Sequence, residues 1–158
     1  MLQHTCDAIV ITCIDFRFQE YIVLWLHKHL GHLEYDRVAL AGGVFDFYTI
    51  LKQVEIADGL HAIKKVILMN HEDCGAYGKE GTYDRHKSDL MEAERKIEAL
   101  FPRLDVEAYY IHLNGNFEEL SRTKTKNKKN KINKQYTCNM QVVAFYNSKF
   151  IDLTIKSD

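Results

Sequence analysis

Two short motifs contain side chains that bind metal ions, and each follows an apolar run. CIDFR (13–17) comes directly after AIVIT (8–12), and HEDC (71–74) comes directly after KVILMN (65–70). Apolar runs of this length are typical of strands that are buried on both faces of a sheet. Cysteine and histidine at the ends of such strands are suited to bind a metal such as zinc. We therefore expect the two motifs to be halves of one site.

Cys13, His71 and Cys74 would give a zinc ion two sulfur ligands and one nitrogen ligand. Three protein ligands leave the fourth tetrahedral position open, which is the arrangement of a catalytic zinc rather than a structural one. Asp15 is expected either to take that fourth position or to hydrogen-bond a water held there. Arg17 is expected to pair with Asp15 in a charge-assisted contact, which would keep the carboxylate ionised and oriented.

The alternation of strand and helix patterns predicts an α/β fold, with a doubly wound, mainly parallel sheet of about four to five strands flanked by helices. Strands are predicted at 8–12, 37–40, 65–70 and 106–113, and helical periodicity occurs at 18–30, 47–57 and 90–100. Such alternation requires right-handed crossovers. The simplest order places the first strand between the second and third, with the fourth beyond the third. Both motifs then lie at the crevice where such sheets bind ligands.

The composition is that of a globular protein outside the membrane. The chain has 158 residues, of which 46% are hydrophobic and 27% are charged. No apolar run reaches the roughly 18 residues that a membrane span needs, and the first residues lack the features of a signal peptide. We therefore expect no membrane partner and a cytoplasmic location. In that reducing compartment the four cysteines are better read as thiols or metal ligands than as disulfides.

The distribution of charge divides the chain near residue 121. Residues 1–120 carry 12 Lys and Arg against 20 Asp and Glu, a net charge of −8, whereas residues 121–158 carry 9 against 2, a net charge of +7. We predict a metal-binding domain over 1–120 and a basic linker with a C-terminal extension of unknown role over 121–158. The basic run 122–134 lacks interleaved aromatics, so a solvated linker is favoured over a nucleic-acid partner. Two stretches beyond it, QVVAFY and KFIDLTI, have the composition of strands.

The motifs resemble the two signatures of the β-class carbonic anhydrases, Cys-x-Asp-x-Arg and His-x-x-Cys-Gly. Beyond CIDFR and HEDCGAYG (71–78), the segments AGGV (41–44) and VEAYYIHLNG (106–115) also resemble parts of that family. So does the approach to the histidine, VEIADGLHAIKKVILMNHEDCG (54–75). The resemblance covers roughly residues 8–120, and it implies the family's α/β sheet.

The resemblance also implies a function and roles for individual residues. It implies Zn²⁺ on Cys13, His71 and Cys74, with Asp15 and Arg17 as the catalytic dyad. The implied reaction is the reversible hydration of carbon dioxide to bicarbonate by a zinc-bound hydroxide. The family's assembly implies a homodimer or a higher homo-oligomer. Because two thiolates make the metal a weaker acid, we expect better activity above neutral pH.

The chain departs from the family pattern beside the metal ligands. Phe16 replaces the usual small polar residue between Asp15 and Arg17, and Ala39-Leu40 replaces the Arg-Asn pair common before Ala-Gly. Both changes predict a more apolar pocket. They leave open a zinc hydrolase of carbonyl sulfide or carbon disulfide, and a catalytically silent zinc-binding relative. A binding module whose function resides in the tail is a further alternative.

Other residues near the motifs have simpler interpretations. His86 is expected to be an ordinary surface imidazole, and Asp73 is expected to anchor its loop by hydrogen bonds to backbone. Tyr77 would either line the pocket or pack against the sheet. Gly42 and Gly43 are expected to serve the close approach of two backbone segments rather than phosphate binding.

Overall fold

Helices and strands alternate along the chain as the apolar pattern predicts. The structure is a computed structural model that describes residues 4–120, 142–146 and 149–152. The strands are β1 Ala8–Cys13, β2 Tyr35–Leu40, β3 Lys65–His71, β4 Asp105–Ile111, β5 Phe117–Glu119, β6 Val142–Tyr146 and β7 Lys149–Asp152. The helices are α1 Gln19–Leu30, α2 Phe47–His61 and α3 Tyr83–Leu100, and single 3₁₀ turns occupy Phe16–Phe18 and Gly78–Glu80.

The strands form one mainly parallel sheet in the order β5-β4-β3-β1-β2-β6-β7. Strand β1 pairs in parallel with β2 and β3, and β3 pairs in parallel with β4. The predicted doubly wound order is therefore confirmed. The short strand β5, which carries no apolar run, was not predicted. The two strand-like stretches of the C-terminal segment form β6, parallel to β2, and β7, antiparallel to β6. The basic run 122–134 lies outside the described residues.

The helices cover the two faces of the sheet unequally. Helix α1 buries Ile22 and Leu26 against one face, whereas α2 and α3 bury Val54, Leu90 and Ile97 against the other. Right-handed crossovers require this division, because the chain moves one way from β1 to β2 and the opposite way from β2 through β3 to β4. Within the described residues, no helix has the length and apolar character needed to cross a bilayer.

Helix α3 begins seven residues earlier than the apolar pattern indicates. The side chain of Thr82 caps it by accepting a hydrogen bond from the backbone N–H of Arg85. The first two turns bury His86 and Leu90 and are otherwise polar, so they show little apolar periodicity. An N-cap threonine offsets this weak pattern because it satisfies a backbone donor that the helix itself leaves free.

The loop after β2 approaches the end of β3 closely, as expected for its two glycines. Gly42 and Gly43 adopt left-handed backbone conformations with φ of +83° and +59°. A Cβ atom on Gly43 would lie 2.5 Å from the backbone oxygen of Met69 and 2.5 Å from Oδ1 of Asn70. Only glycine fits this contact without displacing the backbone.

Substitution of two glycines tests this close approach. Gly43→Ala should lower the free energy of unfolding by more than about 1 kcal/mol, because alanine is strained in the left-handed region even before the clash is counted. Gly59→Ala is the matched control, since Gly59 lies inside α2 and its Cβ would meet no atom within 4 Å. It should raise that free energy by about 0.5–1 kcal/mol. Denaturant unfolding followed by circular dichroism measures both, and equal effects would contradict the close approach.

Candidate metal centre

The carboxyl ends of two neighbouring strands bring three metal-binding side chains together. Cys13 is the last residue of β1, His71 is the last residue of β3, and Cys74 lies in the turn that follows. All three are buried, and their ligand atoms lie within 4.8 Å of one another. The two Sγ atoms are 3.8 Å apart, which is about the separation of two sulfurs placed 2.3 Å from a tetrahedral zinc. The three residues predicted as ligands therefore form a group that could hold a metal ion.

The ring of His71 is oriented for metal binding. Its Nδ1–H donates to the carbonyl oxygen of Glu72 at 2.8 Å, so the lone pair is on Nε2. That Nε2 is buried and has no well-oriented hydrogen-bond partner among the described residues. A backbone carbonyl that fixes the tautomer is the usual second contact of a metal-binding histidine. The ring also packs on Phe18, with a centroid distance of 4.2 Å. These contacts leave Nε2 facing the two sulfurs.

The two thiols share one hydrogen bond. A hydrogen bond from the Cys74 thiol is the main cause that lowers the pKa of Cys13, and the backbone N–H of Gly42, 3.3 Å from the Cys13 sulfur, acts in the same direction. The pKa of Cys74 is raised because its proton is shared with the Cys13 thiolate. Burial disfavours the charged form of His71, yet the neighbouring Cys13 sulfur and the Glu72 carbonyl raise its pKa. A thiolate is the form of cysteine that binds metal, and the hydrogen bonds to the Cys13 sulfur favour that form.

Asp15 and Arg17 form the predicted pair at the edge of this group. Arg17 donates from its backbone N–H to Oδ1 of Asp15 at 3.0 Å, and from Nη2 to Oδ2 at 2.7 Å. These hydrogen bonds from Arg17 lower the pKa of Asp15 to about 2. Oδ2 of Asp15 lies 4.0 Å from Nε2 of His71. The carboxylate is thus ionised and stands beside the ligand atoms.

Arg17 also contacts the second motif. Its Nη1 donates to Oδ2 of Asp73 at 2.9 Å, and its Nη2 donates to the carbonyl oxygen of Asp73 at 2.9 Å. Asp73 has a left-handed backbone with φ of +55°. The sequence indicated that the Asp73 side chain would bond to backbone, whereas its carboxylate accepts from an arginine side chain. One guanidinium therefore ties the loop after β1 to the loop after β3.

Two residues that the sequence did not single out hold the loop after β1. Gln19, the first residue of α1, donates from Nε2 to the carbonyl oxygens of Cys13 and Asp15 at 3.0 and 2.9 Å. Arg37 on β2 donates from Nη2 to Oε1 of Gln19. The position of Gln19, two residues after CIDFR, is the sequence feature that could have indicated this role. Arg37 gave none, because its partner is 18 residues away.

The interpretation of His86 as a surface imidazole is wrong. His86 is fully buried, and its ring packs on Tyr77 with a centroid distance of 4.0 Å. Burial and, next, the nearby His71 lower the pKa of His86 to about 4. Tyr77 is also buried, and Asn70, which the sequence did not single out, donates to its hydroxyl at 2.9 Å. The first turns of α3 fold onto the sheet and enclose these polar groups.

Phe16 stands outside the site rather than between the charges. Its side chain is 85% exposed, and that of Ile14 is 58% exposed. The ring contributes to the surface around the centre and leaves the Asp15–Arg17 pair intact. Ile14 and Phe16 therefore form an apolar rim beside the Asp15–Arg17 pair, whereas Leu40 is partly buried and packs against the hydrophobic core.

Solved structures share the fold. A carbonic anhydrase from Glaciozyma antarctica aligns with a TM-score of 0.56 and 15% identity, covering 77% of this chain and 85% of that one. One of two tetrameric beta-carbonic anhydrases from Sordaria macrospora aligns with a TM-score of 0.52 and 12% identity, covering 75% of this chain and 82% of that one. At this level of identity the alignments establish a common fold.

The sequence itself has relatives in the genus Rickettsia. An uncharacterized protein of Rickettsia bellii is 32% identical over 134 residues, which span 72% of this chain and 81% of the relative. An uncharacterized protein of Rickettsia conorii is 31% identical over 134 residues, which span 72% of each chain. Residues 3–121 match the family described as "Putative carbonic anhydrase". That match contains both motifs and all of the metal centre, and the chain belongs to this family as a divergent member with the β-carbonic anhydrase fold.

Proposed function

We propose that the protein catalyses the zinc-dependent, reversible hydration of carbon dioxide to bicarbonate. The observation that carries this proposal is the buried group of Cys13, His71 and Cys74, in which Nε2 of His71 has no well-oriented partner among the described residues. The Asp15–Arg17 pair beside it supports a catalytic role rather than a purely structural one. All of these residues lie within 1–120, which we propose as the catalytic domain, with 121–158 as an extension. A reducing cytoplasm would keep both thiols free.

Each residue of the site has a role that follows from its contacts. Cys13, His71 and Cys74 would hold the zinc, which when bound supplies a Lewis acid that makes water a nucleophile near neutral pH. Asp15 stays ionised down to about pH 2, so at neutral pH it only accepts hydrogen bonds. It would accept one from the attacking water and turn a lone pair of that water toward the carbon of carbon dioxide. Arg17 acts through Asp15 and keeps the carboxylate in place.

A sulfur-containing linear substrate is the second candidate. The apolar rim at Ile14 and Phe16 suits carbonyl sulfide or carbon disulfide, because both, unlike bicarbonate, are uncharged. The same nucleophile would attack the carbon of either substrate. A silent zinc-binding relative would have the metal and neither activity.

Metal content tests the three ligands. The purified protein should contain one zinc per chain, and Cys13→Ser should weaken zinc binding by more than the roughly 10–100-fold that loss of a surrounding hydrogen bond costs. Cys6→Ser is the matched control, because the Cys6 thiol donates to the carbonyls of Ala8 and Glu34 at the other end of β1. Elemental analysis and competition with a chelating dye measure both. Equal zinc in Cys13→Ser and the unchanged chain would exclude Cys13 as a ligand.

Stopped-flow hydration tests the reaction. The zinc-loaded protein should hydrate carbon dioxide faster at alkaline than at mildly acidic pH, because two thiolates reduce the acidity of the metal. Asp15→Asn keeps the shape but loses the negative acceptor, and it should lower kcat by about 100-fold or more. Asp7→Asn is the control, since Asp7 pairs with Lys64 away from the site.

Two outcomes would contradict the hydration proposal, and a third would contradict its expected pH dependence. Full zinc occupancy without hydration at any pH would identify a silent relative. Faster turnover of carbonyl sulfide than of carbon dioxide would identify the hydrolase. A flat rate between mildly acidic and alkaline pH would contradict the expected effect of the thiolates on the metal's acidity.

We further propose that the chain forms a homodimer or a higher homo-oligomer through the rim of the site. Four large apolar side chains on 14–16 and 45–48 are half or more exposed: Ile14 58%, Phe16 85%, Phe45 50% and Tyr48 82%. Phe45 packs on Tyr77, which places the second segment beside the metal loop. A contiguous patch of exposed apolar side chains is typical of a protein interface, whereas single exposed ones are normal on any surface. The Sordaria macrospora enzymes that share the fold are tetrameric.

Introduction of a charge at the rim tests the assembly. Phe16→Glu should shift the protein toward a monomer in analytical ultracentrifugation, because burial of an unpaired carboxylate in the interface is costly. Leu100→Glu is the matched control, since Leu100 is 58% exposed at the end of α3 remote from the site, and it should leave the assembly unchanged. An unaltered chain that is monomeric at micromolar concentration would overturn the proposal.

A further inference from the structure

The side chain of Asn70 connects three segments around the metal centre. It lies on β3 just before His71 and is 1% exposed. Its Oδ1 accepts from the backbone N–H of Val44 at 3.0 Å, and its Nδ2 donates to the hydroxyl of Tyr77 at 2.9 Å and to Nδ1 of His86 at 3.1 Å. The Val44 N–H requires an oxygen, so the orientation of the amide is fixed. Both protons of the amide nitrogen therefore have partners.

Through Val44, Asn70 holds the turn that contacts the Cys13 sulfur. The backbone N–H of Gly42, in the same turn, points at Sγ of Cys13 from 3.3 Å. Two backbone hydrogen bonds close the turn. The Gly43 N–H donates to the Leu40 carbonyl, and the Phe45 N–H donates to the Gly42 carbonyl. Because the backbone at Gly43 lies directly against Oδ1 of Asn70, a movement of the amide would move the donor that faces the sulfur.

Through Tyr77, Asn70 also holds the turn that carries the second sulfur. The backbone N–H of Tyr77 donates to the carbonyl oxygen of Cys74 at 3.0 Å. The Tyr77 hydroxyl is buried and accepts from Asn70. One side chain is thus bonded to both turns that support the cysteines, although it touches neither sulfur.

His86 is a hydrogen-bond acceptor for the amide of Asn70. Its Nδ1 accepts from Asn70, so the ring is neutral and its proton is on Nε2, which is enclosed and lacks a hydrogen-bond partner in the described part of the chain. Burial, which lowers the pKa of His86 to about 4, is consistent with a neutral ring. A proton on Nδ1 would remove the acceptor that Asn70 uses. His86 is therefore unsuited to carry protons and suited to hold the amide.

We propose that Asn70, oriented by His86, is a positioning residue that keeps the Gly42 N–H on the Cys13 sulfur and so sets how strongly that sulfur donates to the metal. The inference rests on the metal-binding part of the proposed function and not on the substrate. Hydrogen bonds to a sulfur ligand stabilise its electrons and tune the metal it binds. Without the bond, the sulfur would donate more strongly.

Cobalt substitution of the full chain gives a readout of this hydrogen bond. Co²⁺ bound to thiolates has a sulfur-to-cobalt charge-transfer band in the near ultraviolet. In Asn70→Ala this band should move to longer wavelength, because a sulfur that has lost its hydrogen bond donates more strongly to the metal. His86→Leu removes the acceptor alone and should move the band the same way by less. His86→Asn returns an acceptor near the position of Nδ1 and should restore the band.

A core substitution separates positioning from general loss of stability. Leu90→Ala creates a cavity in α3, where Leu90 is fully buried, and it should lower Tm while leaving the band unchanged. An unmoved band in folded, cobalt-loaded Asn70→Ala and His86→Leu would overturn the inference, as would an equal movement in Leu90→Ala. If Asn70→Ala does not fold, the comparison of His86→Leu with His86→Asn decides alone.

The unchanged chain distinguishes this inference from the proposed reaction. A protein that shows the sulfur-to-cobalt band but hydrates no carbon dioxide when zinc-loaded would overturn the reaction and leave the positioning role standing. A protein with no such band would overturn both, because Asn70 would then have no metal-bound sulfur to act on.

Discussion

The parallel pairing of β1 with β3 is the constraint on which the site depends. The register sets Ile11 opposite Leu68, so both strands end at the same edge of the sheet. The side chain of His71 lies on the same face of the sheet as Met69, the face that α1 covers. The side chain of Cys13 lies on the same face as Ile11, which α2 and α3 cover. Side chains on opposite faces meet only where the strands stop, since backbone separates them everywhere else. A slip of one residue would exchange the faces and separate the imidazole from the sulfurs.

One arginine balances the negative charge at this edge of the sheet. Asp15, Asp73 and an ionisable thiol are close together, and Arg17 is the cation that contacts both carboxylates. Its Nε, Nη1 and Nη2 are all engaged, by Asp15, by Asp73 or by both. A lysine has one nitrogen and could not reproduce this planar set of contacts. The same contacts offset the cost of the left-handed backbone at Asp73, which is tolerated in aspartate better than in most residues.

The parts of this molecule that sequence could predict are those set by local pattern. The buried strands β1 and β3 appear as continuous apolar runs, and the handedness of the crossovers then determines the strand order. The predicted ligands Cys13, His71 and Cys74 follow from residue type at the ends of those strands. Strand β5 could not be predicted, because three residues without an apolar run form it only by pairing with β4.

The contacts that support the site could not be predicted because they join segments far apart in the chain. Asn70 meets Val44 across 26 residues, and Arg17 meets Asp73 across 56. His86 illustrates the general difficulty, since its polar neighbours in the sequence indicate exposure. Its burial results from the packing of α3 on the sheet. No periodicity within one element contains that information.

The buried polar groups around the end of β3 fix the positions of the metal-binding side chains at a cost to the stability of the fold. Asn70 and His71 on β3 and His86 on α3 are each at most 2% exposed, although most of the other buried side chains are apolar. Apolar residues of similar volume could pack there without the desolvation cost that amide and imidazole groups incur. A hydrogen-bonded network, unlike aliphatic packing, is directional, and it fixes each partner in one orientation. Directional contacts are of use where a sulfur and an imidazole must be held at the separation that a metal requires. The polar residues are concentrated at that edge for this reason, while the apolar core fills the remainder of the sheet.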